Sequence, residues 1–308
     1  MTALVTHLLR RTARSSFTRS AGGFIIVAAL WILAALATLA SIYAVYVINT
    51  ATGMRVNEER VQAEGLITAA LELTAYRLTS VKADSRPARG TFVFRLGHAD
   101  VAVEFKSEIG RIDLNMAPKE LLAGLFASLG AKYQDAEYYA DRIIGWRTPP
   151  DPDQRNSEAS AYRSAGLSYG PRQAPFDHAA ELSLVMGLPP FLAERAMPFV
   201  TVFSGRAEIN VLAAAPEVLA AIPGMRPERL YALLAALGPS AQNGQPAQNV
   251  GVDLSGFTGD AGNAMRVAVR IDFDNRHRVL AEAVILLHEG PGEPFRVLSW
   301  RDDFDGPS

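Results

Sequence analysis

Phe24-Ile-Ile-Val-Ala-Ala-Leu-Trp-Ile-Leu-Ala-Ala-Leu-Ala-Thr-Leu-Ala-Ser-Ile-Tyr-Ala-Val-Tyr-Val-Ile48 contains no Asp, Glu, Lys or Arg. An apolar helix of roughly 20 residues spans a bilayer core, and a helix satisfies its own backbone polar groups, as lipid requires. The preceding residues, 1–23, carry Arg10, Arg11, Arg14 and Arg19 and no acid. By the positive-inside rule this predicts a cytoplasmic N-terminus, a single pass over residues 24–48 and export of everything beyond.

Gly22 and Gly23 stand immediately before the run. Basic residues, then Gly23-Phe24, then an apolar helix: this order resembles the leader of type IV prepilins and type II secretion pseudopilins. The resemblance implies a leader over residues 1–23, cut after Gly23 by a prepilin peptidase, with methylation of the new N-terminal Phe24. Two other readings stay open. Ala40-Ser41 offers a small-residue site of the kind that follows a cleaved secretory signal, and an uncleaved signal-anchor needs no site.

The chain has 308 residues, 49% of them hydrophobic, and a formal net charge of -2. That length supports one large or two modest domains with real cores. The near-neutral balance offers nucleic acid no electrostatic footing. The absence of cysteine excludes disulfides, thiolate metal sites and c-type haem attachment.

Downstream of the apolar run, Val56, Ala63, Ile67, Ala70, Thr74 and Leu78 recur at helical spacing with no proline from Arg55 to Ser80. A helix continuous from Phe24 to Ser80 would be about 85 Å long. The alternative is a membrane anchor followed by a separate helix. Thr91-Phe-Val-Phe-Arg-Leu96 and Val101-Ala-Val-Glu-Phe105 read as a hairpin. From Ile109 to about Gly238 the composition turns helical. There, Gly110-Arg-Ile-Asp-Leu-Asn-Met-Ala-Pro118 is echoed by Ala207-Glu-Ile-Asn-Val-Leu-Ala-Ala-Ala-Pro216. Pro118 and Pro216 suit helix starts, where the missing N–H is not needed. Met186-Gly-Leu-Pro and Pro223-Gly-Met-Arg-Pro read as tight glycine corners between helices. After a polar linker over residues 239–250, strands return at 264–273, 279–287 and 294–300.

The fold class expected is therefore α+β: a long N-terminal transmembrane helix packed on a small antiparallel sheet, with an inserted all-helical domain containing helix-hairpin-like repeats. Residues 49–109 and 251–308 form the two parts of the α/β domain, and 110–250 the insert. Two consecutive domains with an independent C-terminal sheet are the alternative.

Taken together, the motifs resemble protein K of the bacterial type II secretion system, the large minor pseudopilin. They are Gly23-Phe24, Gly110-Arg-Ile-Asp-Leu-Asn with Ala117-Pro118, Ile144-Gly-Trp-Arg147 before an acidic loop, Ala174-Pro-Phe with Glu181-Leu, Ile209-Asn210 with Ala215-Pro216, and Arg296-Val-Leu-Ser-Trp-Arg301. The resemblance implies a noncatalytic inner-membrane subunit that caps the periplasmic pseudopilus with minor pseudopilins I and J. Most pilin-like proteins carry Glu at the fifth mature residue, where this chain has Ala28. The family of protein K lacks that Glu, which suits a subunit at the tip.

The acidic loop carries Asp151, Asp153 and Glu158, oxygen ligands of the kind calcium takes. Family members resemble calcium binders in this region. The chain departs from their pattern after Trp146, where Arg147-Thr-Pro-Pro replaces an early acid, so a metal-free solvated loop stays open. The glycine corners resemble helix-hairpin-helix modules. A membrane-anchored DNA-binding protein is therefore the second functional reading, although acids slightly outnumber bases over residues 110–240. The five scattered histidines and the absence of a Gly-x-Ser-x-Gly elbow or a phosphate-binding Gly-Lys loop give no enzyme reading.

Overall fold

The computed structural model describes residues 21–150, 158–236, 257–288, 290 and 292–303. The chain divides into two compact units, residues 1–61 and 62–308. Helix α1 (Ala21–Thr79) contributes to both.

In the first unit α1 carries a span of 27 residues, Phe24–Thr50, with mean hydropathy 2.5, long and apolar enough to cross a membrane. Its threonine and serine hydroxyls are satisfied within the helix. Thr38 donates to the Ala34 carbonyl at 2.7 Å and Ser41 to the Ala37 carbonyl at 2.9 Å, which removes the cost of placing them in hydrocarbon. The helix runs unbroken through Ala40-Ser41.

In the second unit the rest of α1 lies on a five-stranded antiparallel sheet of order β1-β2-β7-β8-β9. The strands are β1 (Arg89–Leu96), β2 (Ala99–Ser107), β7 (Ala264–Phe273), β8 (Arg278–Leu287) and β9 (Phe295–Asp303). Ala63, Ile67, Ala70, Leu71, Thr74 and Leu78 are buried on one stripe of the helix, against Val101, Val103, Val267, Val269 and Ile271 among others. Full burial of side chains such as Ile67 and Leu71 is worth about 1.5–3 kcal/mol each. Buried Thr74 returns its hydroxyl to Ala70 at 2.7 Å. Arg86 closes the helix end, donating to the Leu78 carbonyl at 3.1 Å and to Asn263 at 2.8 Å.

β2 and β7 are neighbours in this sheet, from Ala99↔Phe273 to Ser107↔Met265. The strands on either side of the intervening segment therefore belong to one sheet, as expected. That segment has its own core, built on Phe126, Ile143, Trp146, Tyr162, Leu182 and their neighbours. It contains α2 (Lys119–Ser128), α3 (Tyr133–Arg147), α4 (Glu158–Ser164), α5 (Pro190–Ala196), α6 (Pro216–Ala220) and α7 (Pro227–Ala236). The expected boundary near residue 250 lies outside the described residues.

The segment also holds short strands that helical periodicity does not reveal. β3 (Ile112–Asp113) pairs in parallel with β4 (Val200–Thr201), and β5 (Ile209–Asn210) with β6 (Phe257–Thr258). Two residues are too few for a period-two signal to emerge. The sequence echo is thus one half of a structural repeat. Each module opens on a short strand, passes through an Ala-Pro helix start and a glycine corner, and returns to a parallel partner strand. Gly187 and Gly224 take φ of 80° and 76°, the left-handed backbone that a tight corner demands.

Candidate functional site

Gly23 and Phe24 both lie within α1. Residues 1–20 of the leader lie outside the described residues. Phe24 is 77% exposed, and Ala28 leaves the apolar run without a carboxylate. A charge at that depth is costly unless paired, so the apolar run from Phe24 to Ile48 carries no carboxylate that must find a partner amine.

Three of the other family motifs, around Asn115, Trp146 and Phe176, meet in one knot at the end of α3. Trp146 sits buried at the end of α3, its ring 6.0 Å from Phe176 and 6.1 Å from Tyr162. Its indole N–H donates to Glu181 Oε2 at 3.2 Å, and its carbonyl accepts the Gln173 N–H at 2.7 Å. The other Glu181 oxygen accepts the Asp177 N–H at 3.0 Å and an Arg172 N–H at 3.3 Å. Asn115, from the turn after β3, makes a two-point contact with the Phe176 backbone: its amide donates to the carbonyl at 3.0 Å and its oxygen accepts the N–H at 2.7 Å. Arg147 donates to the carbonyls of Leu114 and Ala117, the latter at 2.7 Å. The residue that breaks the family's acidic pattern therefore binds α3 to the β3 turn. Burial pushes its guanidinium below the ordinary value, while Asp113 works the other way.

Asp177-His178 precedes the 3-10 turn Ala179–Leu184, the helix start expected there. Tyr162 of α4 is fully buried and accepts the Met186 N–H at 2.7 Å. Burial pushes its phenol up to about 12.

Of the three proposed calcium ligands, Asp151 and Asp153 lie outside the described residues. Glu158 opens α4, and its carboxylate pairs with Arg142 of α3 at 3.0 Å. Burial raises its carboxyl above the ordinary value against the pull of Arg142. One of its oxygens is buried without a partner, yet the adjacent guanidinium competes with any cation for this carboxylate. Glu158 as placed fits a structural ion pair better than a calcium ligand. Among the described residues no three acidic or imidazole side chains come together as a metal site.

Sequence reading missed Glu108. It is fully buried where β2 leaves the sheet. Arg266 of β7 holds both its oxygens, at 2.7 and 3.2 Å, and Thr201 of β4 donates its hydroxyl to it. One carboxylate thus ties the sheet to the first module. Its partners are 93 and 158 residues away in sequence, and no local signal announces them.

The first glycine corner is a packing element. A Cβ at Gly187 would lie 2.7 Å from the Tyr138 ring, while Gly224 has open space around it.

A helix lying on an antiparallel sheet, with a helical insert between two neighbouring strands, is the architecture of the second unit, that of a pilin-like fold enlarged by an insertion. Residues 107–205, the first module, match the family model described as type II secretion system (T2SS), protein K. The resemblance drawn from the motifs therefore holds. Among solved structures, the chain is similar to one from the GspK-GspI-GspJ complex of the enterotoxigenic Escherichia coli type 2 secretion system. The TM-score is 0.59 at 18% identity, over 81% of this chain and 99% of that one. No curated protein sequence matches.

Proposed function

We propose that this chain is a noncatalytic minor pseudopilin of the type II secretion system, a tip subunit that initiates or caps the periplasmic pseudopilus for export across the outer membrane. The observation that carries the reading is the protein K match, which falls on the module inserted into a pilin-type helix and sheet. Minor pseudopilins I and J are the proposed partners, by analogy with the complex that contains the similar chain. Their contact with α1 would be apolar, with Ala34, Ala35 and Ala37 permitting close approach. The proposed topology is an inner-membrane single pass with a cytoplasmic N-terminus and a periplasmic domain. Prepilin peptidase would cleave at Gly23 and the new terminus at Phe24 would be methylated.

Mass spectrometry of the membrane-bound protein tests the processing: the mature chain should begin at N-methyl-Phe24, and a start at Met1 or near Ser41 would contradict it. Cysteines at Val61 and Tyr76, both exposed on α1, test the position in the assembly, in a chain with no cysteine of its own. Heterologous pairs with pseudopilins I and J are expected, whereas long homopolymers would make this a filament subunit.

Calcium is proposed for the acidic loop through Asp151 and Asp153. Replacing both with Ala should abolish any calcium-dependent rise in melting temperature. Glu158→Ala should lower the melting temperature equally with calcium and with chelator.

A further inference from the structure

One continuous chain of polar groups runs from the first module to the edge of the sheet. Thr201 of β4 donates its hydroxyl to Glu108, which is fully buried. Arg266 of β7 donates from Nε and Nη2 to the two Glu108 oxygens, at 2.7 and 3.2 Å. Its remaining nitrogen, Nη1, donates to Glu282 of β8 at 2.6 Å. Arg301 of β9 donates to the same Glu282 oxygen at 2.5 Å. Each link has at least one ionised partner, the stronger kind of hydrogen bond. A guanidinium is planar and rigid, so its nitrogens are not re-aimed singly. A shift of Glu108 therefore turns the donor that holds Glu282.

Both ends of the chain sit where an element is held by little else. β9 is an edge strand, with β8 as its one neighbour among the described residues. Its register slips at a bulge: Ile285 faces Val297, but Val284 faces Ser299. Leu298 is left over, and a residue so placed interrupts the ladder. Beyond the bulge, Arg301 stands directly opposite Glu282, and its side chain is 75% exposed. The outer end of the chain is thus the clasp of the strand end, within reach of solvent. At the inner end, the Thr201 carbonyl accepts the Leu114 N–H at 2.8 Å, beside the two-residue pairing of β3 with β4. The hydroxyl of the same threonine is what Glu108 holds.

We propose that residues 299–303 act as a strap whose seating is coupled, through Arg266, to the attachment of the first module. Releasing the strap at Arg301 loosens the module at Thr201, and loosening the module at Thr201 frees the strap. The coupling is independent of the pseudopilin reading, which would survive its failure.

Hydrogen exchange of the full chain in nanodiscs, read by mass spectrometry, tests the coupling. Arg301→Met should speed exchange by about tenfold in residues 299–303 and also in residues 107–114 and 199–203, with β1 unchanged. Thr201→Val should speed exchange in the same three stretches. Glu282→Gln weakens the middle link with little change of shape. Adding Arg301→Met to it should therefore leave the module's exchange as it is in Glu282→Gln alone. Arg296→Met, on β9 before the bulge, should leave the module at its wild-type rate. A response to Arg301→Met confined to β9, one that persists in full beside Glu282→Gln, or one matched by Arg296→Met would overturn the proposal. So would exchange at residues 299–303 that Thr201→Val leaves unchanged. Faster exchange throughout the sheet would also overturn it, since that is a general loss of stability.

Discussion

Asp113 and Asn210 hold the same place in two copies of one turn. Each ends a two-residue strand, and each side-chain oxygen accepts the N–H two residues on, at 2.8 Å in both. Their carbonyls both accept from the turn that follows, from Ala117 at 2.8 Å and from Ala214 at 3.0 Å. They differ in their second polar atom. Asp113 Oδ2 accepts from Ser204 at 2.9 Å and from the Gly205 N–H at 2.8 Å, whereas Asn210 Nδ2 donates to the Asp260 carbonyl at 2.8 Å.

The two residues are therefore not interchangeable. Asp113→Asn turns an amide N–H toward a backbone N–H, and Asn210→Asp turns a carboxylate toward a carbonyl. Each exchange should cost about 1–3 kcal/mol, the penalty of an unsatisfied buried polar group. Urea denaturation of the full chain measures it.

Glu108→Gln should destabilise the second unit by about 3–5 kcal/mol, because it leaves the Arg266 guanidinium without its buried countercharge. Glu108→Gln combined with Arg266→Met should be less destabilised than the single variant, since the Arg266 charge is then no longer stranded. The comparison of melting temperatures separates a buried ion pair from mere packing.

Gly124 lies within α2, where Ala would normally stabilise by about 1 kcal/mol. Here a Cβ would stand 2.0 Å from the Ala221 carbonyl oxygen. Gly124→Ala should thus lower the melting temperature, and Gly65→Ala, whose Cβ meets nothing within 4 Å, should raise it.

Acid should release the Glu282 pairs. Burial pushes this carboxyl up, but the Arg301 hydrogen bond and the Arg266 charge together pull it below its ordinary value. A depressed folded pKa stabilises above the ordinary carboxylate range, and that stability is lost as pH falls through the folded value. Glu282→Gln should lower the melting temperature at pH 7 and flatten its fall below about pH 4.3, the usual glutamate value.

What the sequence determined by itself was whatever is local. The uncharged run from Phe24, the apolar stripe from Ala63 to Leu78, the alternation in the long strands and the Ala-Pro helix starts each depend on residues within a few turns of one another. They made the α+β class legible, together with the apolar N-terminal helix and the insertion between strands of one sheet. The resemblance to protein K was legible for the same reason, since its motifs are short contiguous strings. Only the tertiary structure decided what those strings are for. Trp146, Phe176, Glu181 and Asn115 become one knot because α3, the loop beyond it and the β3 turn converge in space. Arg147, an apparent departure from the family pattern, caps carbonyls 30 and 33 residues upstream. Glu158, a candidate ligand in the sequence, stands in the structure as the partner of Arg142 because α4 packs on α3. Glu108 carries no sequence signature, since a buried carboxylate is tolerable only where arginine and hydroxyl donors meet it, and its donors come from strands far along the chain.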